Sequence, residues 1–321
     1  MSIIETRGLK KSFRSRGRLI EAVKGVDIQV QTGGTFGFLG PNGAGKTTTM
    51  RMLTTLMRPT GGEGRVAGYD LMRQPELVRQ KIGYVGQAGG ADGKATAREN
   101  LILQGRICGL SLAQARERTT TLIGALGLSE LADRKVKTYS GGQRRRLDLA
   151  LGMVHEPALL FLDEPTTGLD PKSRNELWAE LRKLQDAGTT IFMTTHYLDE
   201  ADALCQRLAI MDGGSIVVEG TPAELKRQIM GDTVILGMDT SHTVLHHAQE
   251  VLRGQPFVRS LQEERDSGLR LQVEHGEDSL PVILRLMEGA GVPIRTVSLS
   301  RPTLDDVFLK QTGRSLYQQQ N

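Results

Sequence analysis

Cysteine is almost missing from the chain: Cys108 and Cys205 are the two in 321 residues, and neither stands in a metal-ligand or disulfide spacing. Their scarcity excludes a disulfide-stapled scaffold or a zinc module, and it fits a reducing, cytosolic compartment with both thiols as core fillers. No run of about 18 consecutive apolar residues occurs, so no bilayer-spanning helix is expected. Met1 to Lys10 holds no apolar stretch of signal-peptide length, so no secretory signal is expected there. There is also no internal repeat, cysteine cluster or long heptad array.

What remains is the composition of a globular protein, 38% hydrophobic and 24% charged. The net charge of +4 is unevenly spread. Residues 1–230 carry 32 Lys+Arg against 25 Asp+Glu, whereas residues 231–321 carry 9 against 12. A basic first part suits nucleotide phosphates, nucleic acid or an anionic membrane surface, and charge alone does not choose among them.

Short apolar strands alternate with helical patterns in the first part. Strands are expected at Phe36–Leu39, Ile82–Val85, Leu159–Leu162, Thr190–Thr194 and Leu208–Met211. Helices are expected at Thr47–Leu56, Ser111–Leu126, Gln143–Val154, Lys172–Asp186 and Tyr197–Cys205. That alternation predicts an α/β fold with a largely parallel sheet. Val26–Val30 alternates like a half-buried antiparallel strand, and about 95–155 reads as a helical insertion. Thr221 and Pro222 open a helix that Gly231-Asp232 breaks. Beyond it the order β-α-β-β-α-β predicts a small α+β domain of ferredoxin-like type, followed by a helix at Leu304–Lys310 and a polar tail, Gln318–Asn321. The expected domains are 1–230 and 231–321.

Gly40-Pro41-Asn42-Gly43-Ala44-Gly45-Lys46-Thr47, followed by Thr48, fits G-x-x-x-x-G-K-[ST] between an expected strand and an expected helix. The glycines let backbone N–H groups turn toward a phosphate, and the helix adds its N-terminal partial charge. Lys46 supplies a point charge for the β- and γ-phosphates, and the Thr47 hydroxyl suits Mg²⁺. The apolar run Ala158–Leu162 ends in Asp163-Glu164, at the strand end where parallel sheets bind ligands. Asp163 is the candidate for the Mg²⁺ shell, and Glu164 for the base that polarises a water. Ser140-Gly141-Gly142-Gln143 opens a helix and reads either as an ordinary N-cap or as a second anion cradle. One chain needs a single cradle per γ-phosphate, so the second makes sense for an ATP held by another subunit. His242, His246 and His247 lie at helical spacing without carboxylate or cysteine, as on a polar helix surface rather than a metal site.

Taken in order, these segments resemble those of ABC-type ATPases. The resemblance covers residues 1 to about 230. It implies a P-loop NTPase with an antiparallel β subdomain and a helical subdomain. Gln87 matches the Q-loop glutamine that senses Mg²⁺ and the γ-phosphate, and Gly168-Leu169-Asp170 matches the D-loop that communicates across a dimer. His196 matches the switch histidine, and Phe13 matches the aromatic that stacks on adenine. More closely, Phe36–Thr49, Ile82–Gly90, Thr194–Asp202 and Pro302–Leu309 with Thr312-Gly313-Arg314 are similar to daunorubicin/doxorubicin-resistance ATPases. Gln143 stands where many of those relatives have Met.

The resemblance implies ATP and Mg²⁺ as cofactors, a homodimer, and an integral membrane permease on a separate polypeptide. It implies an ATPase that powers drug efflux from the cytoplasmic face of the membrane, in peripheral contact with it. A groove near Gln87, including Ala88–Ala95, would receive a helix of the permease. Export of a lipid or polysaccharide is one alternative. A soluble ATPase acting on nucleic acid is another, but such proteins usually carry two cassettes, zinc-binding cysteines or a coiled coil. Intact Lys46, Asp163, Glu164 and His196 argue against a binding-only module.

Overall fold

The computed structural model describes residues 2–15, 18–229, 231–238, 241–264 and 268–314. The expected tail at 318–321 and the side chain of His242 lie outside the described residues. Two compact units divide between Pro222 and Ala223. The break at Gly231 predicts a division after the helix that starts at Pro222; the units divide at its start instead. Just past that helix, the Gln228 carbonyl accepts a bond from Lys310 Nζ at 2.6 Å, which ties it to the second unit.

The first unit runs through β1 (Ser2–Ser15), β2 (Arg18–Gln31), β3 (Thr35–Leu39), α1 (Lys46–Leu53), β4 (Gly61–Val66), β5 (Tyr69–Asp70), α2 (Pro75–Lys81) and β6 (Ile82–Val85). A helical excursion follows: α3 (Ala97–Ile107), α4 (Leu112–Ala125) and α5 (Gly141–Met153). The chain returns as β7 (Leu159–Asp163), α6 (Pro171–Asp186), β8 (Thr190–Thr195), α7 (Leu198–Leu204), β9 (Arg207–Asp212) and β10 (Ser215–Gly220). One sheet has the order β2-β1-β4-β5 and the other β10-β9-β3-β8-β7-β6. In the larger sheet β10 pairs antiparallel with β9, and the other pairings are parallel.

Strands buried on both faces must be apolar or bonded at every position, and β3, β7 and β8 are buried throughout. Phe192 of β8 is their meeting point. Its ring centroid lies 5.5 Å from Phe36, 4.9 Å from Phe38 and 5.3 Å from Phe161. Ile4, Leu9, Val26, Ile28 and Val66 of the antiparallel sheet join the same core. The alternation expected at Val26–Val30 belongs to the much longer β2. Strand β1 has no clear signature in the sequence because its pairing with β2 is interrupted by several register shifts, which break the period of two.

Capping boxes start all three helices of the excursion: Thr96 with Glu99, Ser111 with Gln114, and Ser140 with Gln143. Helix α5 lies directly on β6. A Cβ at Gly83 would meet the Gly152 carbonyl oxygen at 2.1 Å, so neither strand nor helix tolerates a side chain at that crossing.

The second unit contains α8 (Pro222–Arg227), β11 (Asp232–Met238), α9 (His242–Leu252), β12 (Val258–Glu264), β13 (Gly268–Val273), α10 (Gly276–Gly289), β14 (Ile294–Ser300) and α11 (Leu304–Thr312). Its sheet order, β12-β13-β11-β14, with every pairing antiparallel, is the ferredoxin-like arrangement that the element order predicts. Val234, Leu236, Leu269, Leu271, Leu252 and Ile283 belong to a core of its own. His246 and His247 are exposed on α9, with His246 Nδ1 3.8 Å from Glu250. Among the described residues, no group of His, Cys, Asp and Glu is arranged to hold a metal, and no helix is long and apolar enough to cross a membrane.

One buried acid belongs to this architecture. Glu200 of α7 is fully buried beside α6, where the Trp178 indole N–H donates to its Oε1 at 3.3 Å. Burial pushes its carboxyl pKa up, and neighbouring Thr195, Thr166 and Trp178 offset this only in part.

Two stability measurements test this account. Phe192→Ala should cost about 3–5 kcal/mol in urea unfolding, because three rings lose their common neighbour; a loss under about 1 kcal/mol would show that the core is not centred there. Because Glu200 holds its proton longer when folded, the native state loses stability as pH rises above the ordinary glutamate range. Glu200→Gln has no such proton, so its stability relative to wild type should rise between about pH 5 and about pH 8. An equal difference at both values would refute a raised pKa.

Candidate active site

The turn between β3 and α1 forms the floor of the site. Gly43 and Gly45 have φ of 82° and 102°, with Ala44 between them outside the left-handed region. Such alternation produces an anion-binding nest of backbone N–H groups. The turn is also crowded from behind: a Cβ at Gly45 would meet the Ala22 carbonyl oxygen at 2.7 Å. Above it lies a hollow of ≈ 240 Å³ walled by Pro41–Thr48, Ala22 and Glu164. A larger hollow of ≈ 520 Å³ lies on the antiparallel sheet among Glu5, Arg7, Glu63, Arg65, Asp70 and Arg73. Its three arginines are balanced by three carboxylates, so the smaller hollow over the glycine turn is the better anion site.

Lys46 is 4% exposed and donates to the carbonyls of Gly40 at 2.6 Å and Pro41 at 3.0 Å. Its Nζ stands 3.8 Å from Glu164 Oε1. Burial lowers the Lys46 pKa, while Glu164 and Asp163 oppose that shift. Thr47 Oγ1 donates to Asp163 Oδ1 at 2.9 Å. The parallel register places Asp163 opposite Thr194 of β8. The Thr194 hydroxyl donates to Asp163 Oδ1 at 2.6 Å and accepts from the Glu164 N–H at 3.1 Å.

Glu164 collects the remaining groups. Its Oε1 lies 3.3 Å from His196 Nδ1, and its Oε2 accepts from Thr167 Oγ1 at 3.1 Å and Gln87 Nε2 at 3.4 Å. The close approach of His196 is the main cause that holds the Glu164 pKa below the usual glutamate value. Burial opposes it, and the charges of His196 and Lys46 and the Thr167 hydroxyl reinforce it. The carboxylate therefore stays ionised at neutral pH, as a proton acceptor must. The Thr47 hydroxyl, the Asp163 carboxylate and the Gln87 amide offer hard oxygen donors, a set that suits Mg²⁺.

Lys46, Thr47, Gln87, Asp163, Glu164 and His196 are thus brought together within one chain. The other expected site residues stand apart from this knot. Phe13 is 38% exposed on β1, with Lys11 Nζ 5.3 Å from its ring centroid. Ser140 caps α5 and accepts from the Gln143 N–H at 3.3 Å, while Gln143 Oε1 accepts from the Ser140 N–H at 2.9 Å. Asp170 caps α6 by accepting from the Ser173 N–H at 3.0 Å and hydroxyl at 2.6 Å. A Cβ at Gly142 would meet Ser173 Oγ at 2.8 Å, and one at Gly141 would meet Leu169 at 3.6 Å. The Ser140–Gln143 turn therefore lies against Leu169-Asp170 and the first turn of α6.

Three contributors have no separate signature in the sequence. Thr194 and Thr167 bond the two acidic residues, and only the pairing of β7 with β8 reveals Thr194. Arg145, the middle of three arginines, is 8% exposed, unlike its neighbour Arg144. Its Nε donates to the Pro165 carbonyl at 2.7 Å and its Nη1 to the Gly86 carbonyl at 2.7 Å. Helical phase was the available signal: Arg145, Asp148 and Leu149 share the buried face of α5.

Comparison with known proteins agrees with this geometry. The ABC transporter family pattern matches residues 23–167, and that of the C-terminal domain of DrrA1-3-like ATP-binding proteins matches residues 220–312. The daunorubicin/doxorubicin resistance ATP-binding protein DrrA of Streptomyces peucetius is 44% identical over 97% of this chain and 92% of its own. The doxorubicin resistance ATP-binding protein DrrA of Mycobacterium tuberculosis is 37% identical over 96% of this chain and 93% of its own. A solved ATP-binding cassette, dimeric in a post-hydrolysis state with ADP and Pi, superposes with a TM-score of 0.62 at 26% identity, covering 68% of this chain and 98% of that one. The chain therefore belongs to the ABC transporter family, as an ATP-hydrolysing subunit of the group that contains the daunorubicin/doxorubicin-resistance ATP-binding proteins.

Proposed function

We propose that the chain powers an exporter of a hydrophobic drug or antibiotic, acting as a homodimer on a separate membrane subunit at the cytoplasmic face of the membrane. The observation that carries the catalytic part is the Glu164 carboxylate, held at once by Lys46, His196, Gln87 and Thr167 beside a phosphate-binding turn. The drug cargo rests on relatives named for daunorubicin and doxorubicin resistance that match nearly the whole length of the chain. A separate permease fits the lack, among the described residues, of any helix long and apolar enough to cross a membrane.

In this reading the phosphates of ATP lie in the turn Gly40–Thr48, with Lys46 between the β- and γ-phosphates and the adenine against Phe13. Thr47, Asp163 and Gln87 would hold Mg²⁺, which supplies neutralisation of the phosphate charge. Glu164 accepts the proton of a water that attacks the γ-phosphorus. The bond to the ADP oxygen breaks, and ADP and phosphate result. His196 orients Glu164 and the γ-phosphate. Ser140–Gln143 of the second copy closes over that phosphate, and Asp170 lies where the two copies meet. The packing of the Ser140 turn against Leu169 and Ser173 supports this arrangement, because it makes one surface of both elements.

Two variants test the reading. Glu164→Gln should lower phosphate release by about 100-fold to 10,000-fold while ATP still binds, and an ATP-bound dimer should accumulate on size exclusion. Release near the wild-type rate would remove Glu164 as the base. Ser140→Arg should abolish turnover yet leave the ATP affinity of a dilute monomer within about threefold of wild type. Loss of binding by the monomer would show that the turn serves the ATP of its own chain.

A further inference from the structure

We propose that Arg145 is a positioning residue that sets the backbone of Glu164 and fastens it, with the Gln87 loop, to the helix that starts at Ser140. The inference deepens the proposed function, because it rests on Glu164 as the proton acceptor.

Glu164 has φ of 46°, in the left-handed region that L-residues other than Asn and Asp seldom adopt. Surroundings must over-determine such a conformation for it to persist at one residue. The peptide planes on either side of Glu164 carry the carbonyls of Asp163 and Glu164. Arg145 Nη2 donates to both, at 3.1 Å and 3.4 Å, and its Nε donates to the next carbonyl, Pro165, at 2.7 Å. Two successive planes gripped by one planar group leave little freedom to the φ and ψ between them.

The third arm of the guanidinium reaches the other side of the carboxylate. Nη1 donates to the carbonyl of Gly86 at 2.7 Å, immediately before Gln87. One turn further along α5, Asp148 is also buried, and its Oδ1 accepts from the N–H groups of Gly90 at 2.9 Å and Ala91 at 3.3 Å. The two side chains thus hold both ends of the segment that carries Gln87. The close crossing of α5 over β6 at Gly83 and Gly152 keeps the helix from shifting independently of this segment. A displacement of Ser140 along α5 would act on Glu164 through Arg145.

The chemistry selects arginine. Its planar fork presents donors in several fixed directions, whereas the ammonium of lysine is a point charge at the end of a flexible stem. The carbonyls converge on the guanidinium as neutral dipoles. Burial lowers its pKa, and Asp148, followed by Asp163 and Glu200, offsets that effect by charge.

The test is steady-state ATP hydrolysis by the full chain carrying Arg145→Lys or Arg145→Gln, alongside Glu164→Gln. For both Arg145 variants kcat should fall about 100-fold with KM for MgATP within about threefold, the pattern of a misplaced reacting group in an intact binding turn. Arg145→Lys keeps charge and stem, so it carries the result if Arg145→Gln does not fold; failure of both to fold would make Arg145 a structural residue and overturn the assignment. A kcat within about twofold of wild type, or a parallel loss in kcat and binding, would also overturn it. If Glu164→Gln is inactive while the Arg145 variants behave as wild type, the positioning inference fails and the base assignment stands. If Glu164→Gln turns over normally, the base assignment itself fails.

Discussion

Desolvated charge at the carboxyl ends of buried parallel strands is the constraint on which the first unit depends. Lys46, Asp163 and Glu164 are all nearly inaccessible to water. Each would be costly there alone, since a buried ion is tolerated only with partners and hydrogen bonds. The fold supplies these partners from separate elements: the turn before α1, the ends of β7 and β8, and the loops after them. The three cannot be assembled in sequence order by any local structure. They meet because β3, β8 and β7 are neighbours in one sheet. The aromatic core around Phe192 lies in those same three strands, so the packing that drives the sheet together also brings the charges into register.

Much of this arrangement was legible in the sequence, and the reasons are local. The turn Gly40–Thr47 has a fixed spacing because a phosphate nest needs glycines at set positions. The run at Leu159 is apolar because both faces are covered. Helix α5 announces itself through Ser140 and Gln143, whose capping box is a sequence-adjacent interaction. In the second unit the order of strands and helices alone was sufficient to anticipate the sheet, since a split β-α-β pair leaves few other topologies. The unit boundary was less legible: Gly231 is a true backbone break with φ of 74°, but Gln228, just past α8, is bonded by α11 far along the chain.

What the sequence did not disclose is long-range by nature. The role of Thr194 depends on which strand lies beside β7. Arg145 stands among three identical residues, and helical phase against a sheet of unknown position separates it from the others. The antiparallel strands β1, β4 and β5 are polar, short or bulged, so neither periodicity nor apolar content marks them. Asp170 and Ser140 illustrate a different limit. Each forms a helix cap, which the sequence suggests for Ser140 alone, and capping does not exclude contact with a second copy, because the N–H groups of a capped helix start still face outward.

In the proposed function the bonds of Lys46 connect binding with hydrolysis. Its ammonium is divided among two neutral carbonyls of its own turn and one carboxylate 3.8 Å away. A phosphate entering the turn offers charged oxygens in place of neutral dipoles, and charge-assisted bonds are the stronger ones. Lys46 then has reason to lean toward the phosphate and away from Glu164. Glu164 loses part of the attraction that favours its ionised form, so its affinity for a proton rises where a water proton must be accepted. His196 keeps that rise within bounds, since its close contact is the larger influence on the carboxylate. The lysine and the histidine therefore act on Glu164 in complementary ways. Under the proposed function, Lys46 makes Glu164 respond to nucleotide, and His196 favours its ionised form until the nucleotide comes.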